Sequence, residues 1–184
     1  MDVSVCKKGE KDMADIHFFQ HMPLRKMMKM FTEPGAVTVN LKLVGEVLEI
    51  SMLPYNLSQF QVGTEKVMCA FATNEKGNSC IFYDEELYGD TDGLDRVWVM
   101  KAVARYIATC QKEFLITEKT QFSQWEKTLV SELLMPRETV KEMINKLLIP
   151  STYALSEIFQ VPQSFVRERL KELKLPILIA GYNY

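Results

Sequence analysis

Histidine is nearly absent from this chain: two stand in 184 residues, His17 and His21. Cysteine is sparse as well. Cys6, Cys69, Cys80 and Cys110 are widely spaced and form no C-x-x-C pair. That excludes zinc-ribbon and disulfide-scaffold readings and leaves reduced thiols in a cytoplasmic setting as the expectation. No apolar run approaches the roughly 18–20 residues that span a bilayer, so no membrane partner is expected. The opening MDVSVCKKGEKDMADIHFF lacks the basic-then-apolar layout of a signal peptide. Excess charge is missing too: 22 Lys and Arg against 24 Asp and Glu leave a net −2. Such a balance gives no general basis for holding nucleic acid or a membrane surface.

What is present suits a globular fold. The residues are 47% apolar and 25% charged, an ordinary soluble balance, and the length fits one domain over 1–184. Residues 1–35 read as helical, from Glu10 to Phe31 with a break at Pro23, before Glu33-Pro34-Gly35 punctuates the chain. Residues 36–84 read as three or four antiparallel strands. Val37, Val39, Leu41 and Leu43 alternate with polar residues, and Leu48, Ile50 and Met52 do so after a turn around Gly45. Val67, Cys69 and Phe71 continue, and Asn74 to Asn78 make a hairpin loop returning through Ser79 to Tyr83.

Helical spacing takes over from residue 92 to 175. Asp92 or Asp95 caps a helix running to about Glu113, Thr120 to Leu134 forms a second, and Pro136 opens a third. Thr152 to Phe159 and Gln163 to Leu173 flank a Gln160-Val161-Pro162 turn, and ILIAGYNY follows as a short strand or tail. The expected class is α+β: N-terminal helices, a small antiparallel sheet and a C-terminal helical half.

The helix DRVWVMKAVARYIATC, from Asp95 to Cys110, precedes a second that ends Leu133-Leu134-Met135-Pro136, with Arg137-x-x-Val140-x-x-Met143-Ile144 behind it. Leu155-Ser156-Glu157-Ile158-Phe159-Gln160-Val161-Pro162 and VRERLKEL close the pattern. Over residues 78–173 this order resembles the ImmA/IrrE family of small zinc metallopeptidases, and it implies a minimal zincin-like domain. In that family the first helix carries H-E-x-x-H. Two imidazoles at i and i+4 hold zinc on one helix face, and the Glu activates the bound water. Here Lys101-Ala102-Val103-Ala104-Arg105 fills the slot, and the third-ligand position falls on Trp125, with Glu126 one residue out of phase. Charged Lys and Arg offer no lone pair to a metal, and Ala102 cannot act as a base.

The resemblance therefore implies a catalytically inactive relative, with no catalytic residue, metal or other cofactor. It would act by binding a protein through a surface around Trp98, Lys101, Arg105 and Trp125. Active members cleave helix-turn-helix repressors in phages and mobile elements, so such a repressor is the expected partner. Lys101 and Arg105 project from an otherwise apolar helix, and an unpaired buried cation is costly. Glu126 or Glu132 is the expected counter-ion, in an ion pair occupying the space where zinc would bind. The plainer alternative is that both cations snorkel to solvent.

Two further readings come from other classes. His17 and His21 could chelate a divalent ion on a helix with Asp12 or Asp15, giving an active enzyme with a rebuilt site, although Phe18 stands where a protease needs Glu. Residues 152–173 could form a DNA-binding helix-turn-helix using Arg167, Arg169, Lys171 and Lys174, diluted by Glu168 and Glu172. The Met-rich run Met22 to Phe31 reads as a helix docked on the sheet with Arg25, Lys26 and Lys29 solvated. The acidic stretch Asp84 to Asp92 lacks calcium-loop spacing and reads as a solvated loop leading into a helix.

Overall fold

The computed structural model describes residues 16–87 and 93–176. The readings for Cys6, Asp12, Asp15, Asp92, the middle of the acidic loop and the ILIAGYNY tail lie outside them.

The architecture is α+β, helices packed about one small sheet. Helical residues 16–20 are followed by α1 (Leu24–Phe31) and α2 (Leu41–Leu48). Strands β1 (Ile50–Tyr55), β2 (Gln61–Val62), β3 (Glu65–Thr73) and β4 (Ser79–Asp84) come next. A 3₁₀ turn, Glu85–Leu87, closes the first half. The second half runs α3 (Leu94–Thr109), β5 (Glu113–Thr117), α4 (Gln124–Leu134), α5 (Arg137–Lys146), α6 (Thr152–Phe159) and α7 (Gln163–Glu172).

Central to the sheet is β3, hydrogen-bonded antiparallel to β4 along one edge and to β5 along the other. Its Val67, Met68, Cys69 and Phe71 are buried. The expected hairpin forms: Asn74 accepts from the backbone of Lys76 and Asn78 at 2.9 and 3.0 Å, closing the loop.

Several expectations need correction. The run from Val37 to Leu43 is not a strand. Asn40 accepts hydrogen bonds from Lys42 N at 2.9 Å and Leu43 N at 3.3 Å and starts α2. A side-chain N-cap outweighs a short alternation, and Val44 and Leu48 at i,i+4 supply the buried face. The reversal falls at Glu49 (φ 55°) rather than at Gly45. Gly45 instead sits in the helix, where a Cβ would come within 2.7 Å of the Ile50 carbonyl.

The sheet is also not wholly antiparallel. β1 skips β3 and pairs parallel with β4, from Ile50↔Ser79 to Tyr55↔Asp84, and the β2–β3 excursion provides the crossover. Finally, the helix expected to reach Glu113 stops at Thr109, where Cys110 turns left-handed (φ 52°). The residues beyond it form β5, whose Ile116 is buried.

Helix α3 runs through the interior, with β3 and β4 against one side and α4 against another. Val97, Trp98, Val99, Met100, Ala102, Val103, Ala104 and Ile107 are all buried, as expected of a helix apolar on every face. The Met-rich helix α1 buries Met27 and Phe31 and leaves Arg25, Lys26 and Lys29 exposed. Its closest packing is on α2 and α4 rather than on the sheet. Among the described residues no helix is long and apolar enough to cross a membrane.

Candidate functional site

Helices α3, α4 and α7 enclose a cleft of about 440 Å³. Val97 and Lys101 come from α3, Phe122 from the preceding loop, Glu126 and Val130 from α4, and Phe165 and Glu168 from α7. Lys101 and Arg105, one turn apart, emerge from α3 on this side because every other face of the helix is committed to the core.

Arg105 is held firmly. Its Nε donates to Glu126 Oε1, its Nη2 donates to the Gln121 carbonyl, and its guanidinium carbon lies 4.8 Å from the Phe122 ring centre. Glu126 is almost fully buried and serves a second purpose. Ser123 N donates to its other carboxylate oxygen at 2.6 Å while Glu126 N donates to Ser123 Oγ at 3.2 Å. This capping box fixes the start of α4. Burial pushes the Glu126 carboxyl up, but the Ser123 bonds and Arg105 together hold it below the ordinary value. The helix start expected at Thr120 is thus four residues late, and the Ser123-x-x-Glu126 spacing was the signal for it.

Lys101 is held differently. Its ammonium sits 3.7 Å from the centre of the Trp98 ring, with Phe122 at 5.8 Å. No carboxylate among the described residues lies within ion-pair distance of it. Burial lowers its pKa from the ordinary 10.5, against the pull of Glu168.

Glu132, the other candidate counter-ion, turns away from α3. It pairs with Arg169 of α7 and accepts from Arg137 N at 3.1 Å. The alternative helix-turn-helix reading needs Arg169 on a DNA-facing surface, yet it is 2% exposed and donates from Nε to the Met135 carbonyl at 2.9 Å. Its position in phase with Val166, Leu170 and Leu173 carried that information. Arg167, Lys171 and Lys174 are exposed, and Lys174 lies beyond the end of α7.

The four proposed groove residues do not form one lining. Lys101 faces the cleft, Arg105 backs its Glu126 wall, Trp98 is buried beneath Lys101, and Trp125 is 42% exposed outside the cleft. Ala102, at the family's base position, is fully buried. His17 Nδ1 is 2.9 Å from Gln20 Oε1 and 3.9 Å from Cys110 Sγ, while His21 lies past the helix end in a turn. Among the described residues no three His, Cys, Asp or Glu side chains converge.

No family model, curated protein or solved structure matches the chain.

Two results are expected from these contacts. Arg105→Ala strands the buried Glu126 carboxylate, and breaking a buried pair from one side costs about 3 kcal/mol. Urea unfolding would read it, and a change under about 0.5 kcal/mol, the scatter of ordinary surface substitutions, would remove the pair from the account. Lys101 acts through pH. Its folded pKa lies below the unfolded 10.5, so between the two values the unfolded chain binds more protons. Stability due to this group therefore rises with pH in that alkaline window. Stability curves of wild type and Lys101→Met should converge as pH climbs toward 10.5, whereas a pH-independent gap would contradict the shift.

Proposed function

We propose that this chain is a catalytically inactive relative of the ImmA/IrrE metallopeptidases that works by binding a protein, with the α3–α4–α7 cleft at the centre of the contact surface. Supporting this reading, the two positions that the resemblance assigns to zinc-binding imidazoles carry Lys101 and Arg105. The Arg105–Glu126 pair ties α3 to the capped start of α4 at that place. An arginine committed to a buried carboxylate and a backbone carbonyl braces two helices and cannot itself serve as a base. The expected partner is a helix-turn-helix repressor, bound and sequestered or shielded without being cut.

Calorimetric titration with a helix-turn-helix repressor from the same cell, with gel analysis of the mixture, tests this. Binding without cleavage is expected, weakened tenfold or more by Lys101→Glu and by Trp125→Ala on the exposed surface at the start of α4. Repressor fragments would sink the inactive reading. Unchanged affinity in both variants would move the contact off the cleft. Stoichiometric zinc in protein purified without chelator would redirect attention to His17 and His21.

A further inference from the structure

Lys101 is a half-buried cleft cation with no carboxylate of the described residues within ion-pair distance, so its charge is left for a ligand to answer. Around it the other charges are largely spoken for. Glu126 is taken by Arg105 and Ser123. Glu172 lies 2.9 Å from Arg169 Nη1. Glu168 and Glu118 act on Lys101 from beyond ion-pair distance. Val97, Phe122, Val130 and Phe165 give the cleft an apolar stretch of wall, with Gln124, Lys127 and Ser131 as polar neighbours. A volume of about 440 Å³ falls within the range of small-ligand sites, which pair apolar walls with a few placed polar groups.

We propose that the cleft over Lys101 is a carboxylate subsite, taking a single carboxylate carried on an apolar body. One ammonium lacking any arginine fork matches one negative charge. A doubly charged phosphate would find no fork at Lys101, only the exposed side chain of Lys127 as a further cation, and would meet Glu168. Ring faces of Trp98 and Phe122 already steady the ammonium, so little ordering is needed when the anion arrives. The site deepens the binding-protein reading and rests on the same cleft. Its occupant is either a free organic acid or an acidic side chain flanked by apolar residues on a partner.

The test uses the chain alone, so its failure is separable from failure of repressor binding. Amide and indole NMR resonances, Trp98 included, are followed during titration with phenylacetate and with neutral phenylacetamide. A parallel pair is acetyl-Leu-Glu-Leu-amide and its Gln counterpart. At least one acid should bind saturably about five-fold or more tighter than its neutral twin, shifting Trp98 and the α3, α4 and α7 cleft signals. Lys101→Met or, if that variant folds poorly, Lys101→Gln should abolish the preference. Preference in the phenylacetate pair alone assigns a free acid, and in the peptide pair alone a partner side chain. No preference in either pair with the wild type, or a preference that survives loss of Lys101, overturns the subsite.

Discussion

Arg169→Ala is expected to cost about 3–5 kcal/mol, the range for removing one member of a buried ion pair. Against the 5–15 kcal/mol by which most domains are stable, that would leave the chain near unfolding. Arg169 is the largest of the fully buried side chains, and it joins three parts of the helical half. Its Nε donates to the Met135 carbonyl at 2.9 Å, where α4 ends. Its Nη2 pairs with Glu132, which in turn accepts from Arg137 N and so receives the first turn of α5. Its Nη1 faces Glu172 at 2.9 Å, with an angle outside hydrogen-bond geometry. Alanine would empty that volume, leave the Met135 carbonyl without this donor and strip Glu132 of its cation. The midpoint of urea unfolding should fall sharply with little change in slope. Arg169→Ala with Glu132→Gln should recover part of the loss, because the stranded charge is then gone. A single variant within 1 kcal/mol of wild type would mean that Glu132 and Met135 find other partners.

That clamp also marks where local sequence stops being informative. Helices α6 and α7 were legible because Gln160-Val161-Pro162 separates two runs of 3.6-residue spacing, and both runs fold as read. The β3–β4 hairpin was legible because Asn74 to Asn78 carries its own turn chemistry. Lys101 and Arg105 could be placed on one face by their spacing alone. The partners of these residues could not. Whether Glu126 or Glu132 meets Arg105 depends on the angle of α4 to α3 and on Arg169 arriving from α7 to claim Glu132. The parallel β1–β4 pairing is likewise a long-range choice that alternation in β1 does not encode. β5 was hidden differently: Cys110 ends α3 in a left-handed conformation that non-glycine residues adopt rarely. Without that stop the apolar spacing runs on into Phe114. At α2 the local signals conflicted, and the Asn40 cap prevailed over an alternation of four residues.

Gly93→Ala should be the second severe substitution, costing about 3 kcal/mol or more from backbone strain and overpacking together. Gly93 is the N-cap of α3 at φ 76°, a conformation that resists a side chain. Space is the harder limit: an added Cβ would stand 2.2 Å from the Gln160 carbonyl oxygen and 2.6 Å from its carbon. Those atoms are backbone, in the left-handed turn (φ 53°) that joins α6 to α7, so no rotamer change relieves the clash. Either the start of α3 or the α6–α7 corner must move. For a chain of this size the loss corresponds to a melting temperature lower by roughly 6–12 °C, readable by circular dichroism. The same contact fixes the cleft. α3 carries Lys101 and α7 carries Phe165 and Glu168, so the spacing between these two walls is set where Gly93 touches Gln160. Gly93→Ala protein that still folds should therefore show weakened carboxylate discrimination with Lys101 intact. Full discrimination beside a large melting loss would show that the walls keep their spacing through α4 instead.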